Sequence, residues 1–167
     1  MKTLALIALV IGAIALTAPR PSTTVFLVRH AEKEADGADP SLNEAGRKRA
    51  EALADTLADA RITAIFSSEF HRTQQTAAPL AERLGIKVTV IPGKDIDALV
   101  ARVRELRPGG RALIVGHSNT VPDAASRLTG AKAAEMSESD FDRLYVATFR
   151  GTGQGDVLLL HYGPRAD

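Results

Sequence analysis

The sequence contains no cysteine and no tryptophan among its 167 residues. The missing cysteines exclude disulfide bonds, zinc sites built on thiolates and a thiol nucleophile. With only two tyrosines and five phenylalanines, the chain also has little material for the aromatic platforms on which nucleotide bases stack. An excess of either charge is missing as well, since 21 lysines and arginines face 20 aspartates and glutamates. No net field therefore favours a nucleic acid or an acidic membrane as a partner.

One long apolar run lies at the N-terminus. Lys2 is followed by an uncharged stretch whose apolar centre, residues 4–16, has the length of a signal-peptide core. As a helix this centre would span ~20 Å, less than the ~30 Å of the bilayer core. We therefore expect residues 1–18 to be a signal peptide or an uncleaved N-terminal anchor, residues 19–23 a linker, and residues 24–167 one domain. This predicts an exported protein, periplasmic or secreted, with membrane contact only if the segment stays uncleaved.

Strand-like and helix-like patterns alternate through the rest of the chain. Ser41 and Glu44 fit a capping box at the start of the first helix, and Gly85 fits the end of the second. Pro79 predicts a kink in that second helix or a shorter first part. Strands are predicted at TVFLVR, ITAIFSS, KVTVI and RALIVGHS, and a final hairpin is predicted from RLYVATF and DVLLLHY. The pattern predicts an α/β fold, a three-layer α/β/α sandwich with a mostly parallel central sheet.

Cationic side chains follow three of the predicted strands. Arg29 and His30 end the first strand, Arg72 follows the second, and His117 follows the fourth. Ligands of open α/β sheets bind beyond the carboxyl ends of the strands, where helix N-termini also favour anions. These residues therefore predict an anion site, and a doubly charged phosphate is its most natural occupant. A neutral imidazole can attack phosphorus and leave again, while arginines hold the non-bridging oxygens.

Three segments carry a resemblance to a known family. LVRHAEK, SSEFHRTQQTA and LIVGHSNT resemble, in order and spacing, the signatures of the histidine phosphatase superfamily, which has the phosphoglycerate-mutase-like fold. The resemblance extends over about residues 24–162, so the predicted domain would be a histidine phosphatase domain. It implies that His30 is the phosphorylated nucleophile, that Arg29 and Arg72 bind the phosphoryl oxygens, and that His117 completes the pocket. It also implies chemistry without a metal or another cofactor.

The function expected from this resemblance is that of a small bacterial-type phosphatase. It would hydrolyse a phosphomonoester or a phosphoramidate through a phosphohistidine intermediate. Its partner would be a phosphorylated small molecule or a phosphoprotein, and not a nucleic acid. The loops at residues 32–40, 92–97 and 130–142 would contact this substrate, but they carry no recognisable motif. Glu32 and Glu34 are expected to be solvated loop charges.

The proton donor to the leaving group is the least defined residue. The mutase branch of the family uses a glutamate between the second and third signatures, and Asp95 falls in the corresponding stretch here. Asp97 and Asp123 are alternatives, and substrates with good leaving groups need no strong acid. In the acid-phosphatase branch an aspartate directly follows the second histidine, and Ser118 takes that place in this chain. We take Asp95 as the expected donor.

Two other functions use the same residues. A non-catalytic phosphate-binding module would need the arginines but not both histidines. A serine hydrolase would use Ser118, because GHSNT nearly matches the G-x-S-x-G nucleophile elbow. That interpretation leaves His30 unexplained, and it needs a late histidine in a loop, whereas His161 lies in a strand pattern. His71 is expected to be a surface residue at the start of a helix.

Overall fold

The computed structural model describes residues 21–151 and 154–165. The predicted signal peptide or anchor at residues 1–18, and the first part of the predicted linker, lie outside the described residues. Among the residues that are described, no helix has the length and apolar composition to cross a membrane. In chain order the elements are β1 (Thr23–Arg29), α1 (Glu44–Leu57), β2 (Ala64–Ser67), α2 (His71–Leu84), β3 (Val88–Val90), α3 (Ile96–Arg104), β4 (Arg111–Gly116), α4 (Thr120–Thr129), β5 (Arg143–Arg150) and β6 (Gln154–His161).

The strands form one sheet in the order β3-β2-β4-β1-β5-β6. The β1, β2, β3 and β4 strands pair in parallel, whereas β5 is antiparallel to both β1 and β6. The predicted C-terminal hairpin is therefore confirmed, and so is the mostly parallel sheet. This arrangement places the carboxyl ends of β2, β4 and β1 side by side in the centre of one edge of the sheet.

Helices cover both faces of the sheet. Alternate residues of β1 point to opposite sides: Val25 and Leu27 pack with α3 and α4, and Val28 packs with α1 and α2. The central strands β1 and β4 are apolar on both faces, which is typical of strands covered by helices on either side. The three-layer α/β/α architecture expected from the sequence is confirmed.

Of three predictions about the helices, one is confirmed and two are wrong. Gly85 ends α2 in the left-handed conformation at φ 64°, as predicted. The capping box at Ser41 was wrong, because α1 begins later and Oδ1 of Asn43 accepts the N–H of Gly46 at 2.9 Å. The predicted shortening at Pro79 was also wrong, since α2 continues through it. A proline removes one backbone hydrogen bond, and we attribute the continuity of α2 to its packing against the sheet and α1.

Candidate active site

The predicted cationic residues converge at the carboxyl edge of the sheet. In the pairing of β1 with β4, Arg29 lies opposite Gly116. His30 and His117 directly follow these two residues and therefore leave neighbouring strands at the same level. The N–H of His30 continues this pairing by donating to the carbonyl of Gly116 at 2.9 Å. Arg72 approaches from the other side of β4, because it lies in the first turn of α2 directly after β2. Both histidines and both arginines line one cavity of about 320 Å³.

The two imidazole rings lie close together but have different partners. Their centroids are 5.5 Å apart, with the planes inclined by 66°. Nδ1 of His30 lies 2.8 Å from the carbonyl oxygen of Ala31, which can only accept a hydrogen bond. In the neutral ring the proton is therefore on Nδ1, and Nε2 carries the free lone pair. Nε2 of His117 instead contacts the hydroxyl of Ser68 at 3.0 Å.

Both histidines are held in the neutral form. Burial, the positive charge of Arg29 and the neighbouring His117 lower the pKa of His30 from 6.5 to about 4. Burial and Arg72 likewise lower the pKa of His117. A neutral His30 with a free Nε2 lone pair is the form that can act as a nucleophile.

The two arginines have N–H groups without acceptors. Nε of Arg29 and Nε of Arg72 are both buried and have no hydrogen-bond partner among the described residues. Each guanidinium also lies over an aromatic ring, Arg29 at 4.3 Å from the centroid of Phe141 and Arg72 at 4.4 Å from that of Phe70. Buried donors are normally paired, so these two orphan N–H groups indicate a missing acceptor. A phosphoryl group supplies such acceptor oxygens.

Asp39 orients Arg72 from the loop after β1. One carboxylate oxygen of Asp39 lies 3.4 Å from Nη1 of Arg72, and both oxygens accept the backbone N–H of His71 at 3.1 Å. Because Phe70, at the N-cap of α2, makes no side-chain cap, Asp39 fills this role from another segment. The contact fixes the start of α2 and the direction of Arg72 together.

Glu138 lies in the same cavity and binds Arg29. Its Oε2 accepts a hydrogen bond from Nη2 of Arg29 at 2.6 Å, and its Oε1 accepts one from the hydroxyl of Ser118. The hydrogen bond from Ser118 and the charge of Arg29 lower the pKa of Glu138. The carboxylate is therefore ionised at neutral pH and occupies an arginine that a phosphoryl group would use.

The candidate proton donors lie at helix starts. Oδ1 of Asp95 accepts the N–H of Ala98 and caps α3, and Asp95 is absent from the residues that line the cavity with His30. Asp97 and Asp123 both pair with Arg127 on the surface. No observation tests Asp95 as the donor; because it caps α3 and does not line this cavity, we expect another group to protonate the leaving group.

Comparison with known proteins finds a family match over part of the chain. The family model of the histidine phosphatase superfamily (branch 1) matches residues 25–96, the segment that contains Arg29, His30 and Arg72. In this segment the chain is similar to the histidine phosphatase superfamily. The third predicted signature, which holds His117, lies beyond the matched segment. The pairing of β4 with β1 places His117 in the site.

Two curated proteins are similar to parts of the chain. The chain is 36% identical over 92 residues to a probable phosphoglycerate mutase, GpmB, of Yersinia enterocolitica. The aligned segment covers 51% of this chain and 39% of that protein. It is 38% identical over 71 residues to phosphoserine phosphatase 1 of Hydrogenobacter thermophilus, covering 38% of this chain and 34% of that protein. The chain spans less than half the length of the curated relatives that it matches.

The solved structure confirms the fold. The protein histidine phosphatase SixA, solved in complex with tungstate, superposes with a TM-score of 0.71 at 19% identity. The superposition covers 83% of this chain and 96% of that one. The fold expected from the sequence, phosphoglycerate-mutase-like, is thus shown over most of the chain.

One expectation about the loop after His30 was wrong. Glu32 is not a solvated charge: its carboxylate binds Nε and Nη2 of the buried Arg49 on α1, with the shortest contact at 2.7 Å. Nη1 of Arg49 also donates to the carbonyl of Pro164 near the C-terminus. Gly46 permits this close approach, because a Cβ there would lie 2.0 Å from the carbonyl oxygen of Glu32. Glu34 is exposed, as expected.

The remaining histidines lie outside the cavity. His71 is the first residue of α2 and its side chain is 66% exposed, which confirms the expectation for it. His161 lies on β6 with Nδ1 3.0 Å from Asp142. The hydroxyl of Ser118 donates to Glu138, and its described contacts include no imidazole, so the serine-hydrolase interpretation lacks a base.

Several residues of this site were not assigned from the sequence. Each of the three loops predicted to contact substrate does reach the cavity, through Lys33, Lys94 and Glu138. The antiparallel direction of β5 could have indicated Glu138 and Phe141, which lie in the loop before it. A strand that starts at the carboxyl edge brings its preceding loop to the site. The missed residues are Asp39, Ser68, Phe70, Thr73, Glu138 and Phe141.

Proposed function

We propose that the chain is a metal-independent phosphatase that hydrolyses a phosphomonoester or a phosphoramidate through a phosphohistidine at His30. One observation carries this proposal: a neutral imidazole with a free Nε2 lies beside two buried arginines whose Nε–H groups lack acceptors. A binding module needs the arginines, but it does not need a nucleophile held in this tautomer. The match of residues 25–96 to the family model of the histidine phosphatase superfamily supports the same reaction class.

The proposed reaction has two displacements at phosphorus. In the first, the lone pair on Nε2 of His30 forms the N–P bond while the bond to the leaving group breaks, and a carboxylate or water protonates the departing group. Arg29 and Arg72 bind the non-bridging oxygens, where the negative charge is carried. In the second, water attacks phosphorus, the N–P bond breaks and His30 returns to its neutral form with release of inorganic phosphate. The hydrogen bond from Nδ1 to Ala31 favours the first step, because it stabilises the positive charge on the phosphorylated ring.

The path of the chain supports hydrolysis over mutase chemistry. Between α2 and β4 the chain forms only the three-residue β3 and the nine-residue α3, so no inserted subdomain covers the cavity. A mutase must keep its phosphorylated intermediate away from water, whereas a hydrolase needs water at the same place. The similarity to a protein histidine phosphatase supports a phosphoramidate, including a phosphohistidine on a protein, as one substrate class.

Turnover by matched histidine variants tests the proposal. The purified protein, in EDTA, is given an aryl phosphate with a good leaving group, a phosphoramidate and a phosphohistidine-containing protein. We expect hydrolysis by the wild type and by His71→Asn, and a loss of about a thousandfold or more in His30→Asn. Turnover that persists in His30→Asn contradicts the mechanism. Tungstate binding without turnover of any substrate identifies the binding module instead, and turnover that requires Ser118 alone identifies the hydrolase.

The proposal includes export of the protein. Residues 1–18 would direct the chain to the periplasm or the exterior, either cleaved or as an anchor. Cell fractionation with mass spectrometry of the N-terminus tests this, and a cytoplasmic protein with its N-terminus intact contradicts it.

A further inference from the structure

A chain of hydroxyl groups connects His117 to the backbone of α2. Nε2 of His117 lies 3.0 Å from Oγ of Ser68, which lies 2.8 Å from Oγ1 of Thr73. Oγ1 of Thr73 contacts the carbonyl oxygen of Phe70 at 2.7 Å and that of Ser68 at 3.1 Å. Ser68 is 4% exposed and Thr73 is fully buried, so both hydroxyl groups are largely shielded from water.

The direction of these hydrogen bonds follows from the number of protons. A carbonyl only accepts, so the single hydroxyl proton of Thr73 goes to a carbonyl oxygen. Oγ1 of Thr73 must then accept the proton of Ser68 across the 2.8 Å contact. The hydroxyl of Ser68 has no second proton, and Nε2 of His117 must therefore donate to it. Any other direction leaves a hydrogen missing from one of three contacts: Thr73 with the carbonyl of Phe70, Ser68 with Thr73, or His117 with Ser68.

We propose that Ser68 and Thr73 are positioning residues that hold His117 in the Nε2–H tautomer and leave Nδ1 to face the phosphoryl group. The proposal rests on the proposed function for the identity of that group, but the tautomer itself is a property of the free protein. Thr73 alone could be explained as a local helix-start motif, since it bonds the carbonyl three residues earlier. That motif does not explain why Ser68 joins it to an imidazole across 49 residues of sequence.

The fixed tautomer has a consequence for catalysis. In the free protein His117 is neutral, and its Nδ1 lone pair is unprotonated. A bound phosphoryl dianion favours protonation of this atom, which then donates a hydrogen bond to a phosphoryl oxygen or delivers a proton to the leaving group. The opposite tautomer would place a proton on Nδ1 before substrate binds, and it would leave Nε2 facing a hydroxyl that has no proton to give.

Nitrogen NMR of the histidine side chains tests the tautomer directly. The full chain is labelled with ¹⁵N-histidine, and His117 is assigned by the loss of its signals in His117→Asn. In the wild type at neutral pH we expect a protonated Nε2 and an unprotonated Nδ1. Ser68→Ala removes the acceptor, while the isosteric Thr73→Val frees the proton of Ser68 to point at Nε2. Both variants should shift His117 toward a mixture of tautomers and lower kcat by about tenfold, with a smaller change in KM.

Two further variants separate positioning from folding. Ser67→Ala removes a neighbouring buried hydroxyl that donates only to the carbonyl of Ser68, and it should retain the wild-type tautomer and kcat. Ser68→Thr keeps the hydroxyl and should restore both. A proton on Nδ1 in the wild type, or an unchanged tautomer in both Ser68→Ala and Thr73→Val, overturns the proposal. Absence of turnover in the wild type refutes the proposed function but leaves the tautomer result to be judged alone.

Discussion

Oε2 of Glu138 accepts a hydrogen bond from Nη2 of Arg29 at 2.6 Å, inside the cavity that contains both histidines. The backbone carbonyl of Glu138 accepts a second hydrogen bond, from Nη1 of the same arginine. A carboxylate therefore holds the arginine that the proposed reaction assigns to the phosphoryl group. A substrate anion must displace this carboxylate or share Arg29 with it.

Removing the charge of Glu138 should strengthen anion binding. We expect Glu138→Gln to bind tungstate about fivefold more tightly, because the side chain of Glu138 is largely exposed and its pair with Arg29 is worth about 1 kcal/mol. Isothermal titration calorimetry measures the change. Glu135→Gln, an exposed glutamate of the same loop, is the matched control and should bind as the wild type does. Weaker binding by Glu138→Gln would show that Glu138 supports the anion site instead of competing for it.

His30 should stay neutral well below the ordinary pKa of histidine. We expect its ring to titrate at about pH 4, where burial and the charge of Arg29 place its pKa, and not at 6.5. Because the pKa is lowered in the folded state, the unfolded chain binds the proton first as the pH falls. Stability should therefore fall between pH 6.5 and pH 4, by up to about 3 kcal/mol from this residue.

Two measurements check this behaviour of His30. NMR titration gives the pKa directly, and urea denaturation of the wild type and His30→Asn across the same pH range gives the linked stability. In His30→Asn, the part of the stability loss on acidification that comes from His30 should be absent. A midpoint near 6.5 in the folded protein would contradict the buried, neutral nucleophile.

Asp95 should prove dispensable for catalysis. Its carboxylate caps α3, and asparagine is an equally good cap, so we expect Asp95→Asn to keep both stability and kcat within about twofold. Asp95→Ala should lose about 1 kcal/mol of stability while retaining kcat. Urea denaturation and steady-state kinetics with a poor leaving group make the comparison. A large fall in kcat for Asp95→Asn, confined to poor leaving groups, would establish Asp95 as the proton donor after all.

The pair of Glu32 and Arg49 should stabilise the loop that carries His30. Arg49→Met leaves the half-buried carboxylate of Glu32 without its partner, which should cost about 3 kcal/mol of unfolding free energy. Lys48→Met is the matched control on the same helix, because its ion pair with Glu44 is exposed and worth less than 1 kcal/mol. The midpoint of urea denaturation measures both losses of stability, provided that the m-value is unchanged. Equal midpoints for the two variants would contradict the assigned role of the buried pair.

The sequence predicted the strand ends of the site better than its surroundings. Arg29, His30 and His117 could be placed because each directly follows an apolar run that reads as a buried strand, and such ends meet at one edge of a parallel sheet. The partners of these residues could not be placed in the same way. Glu32 contacts Arg49 seventeen positions away through the packing of α1 against a loop, a contact that no local pattern encodes.

The predictions at helix starts failed for a related reason. Ser41 fits a capping box by spacing, but Asn43 caps α1 because the preceding loop is already held: the backbone carbonyl of Ser41 accepts the N–H of Glu34. Asp39 caps α2 from a different segment, which sequence spacing cannot reveal. Local rules predict which residue types can cap a helix, and the tertiary structure selects among them.

The central claim is that phosphate becomes covalently bound to His30. The full chain is mixed with a ³²P-labelled phosphomonoester that has a good leaving group, in EDTA, and is quenched in alkali, in which phosphohistidine is stable. We predict label on the wild-type protein and on His161→Asn, lost on transfer to acid and absent from His30→Asn. Label that persists in His30→Asn, or rapid turnover in which no alkali-stable label forms on the wild type, would contradict the mechanism.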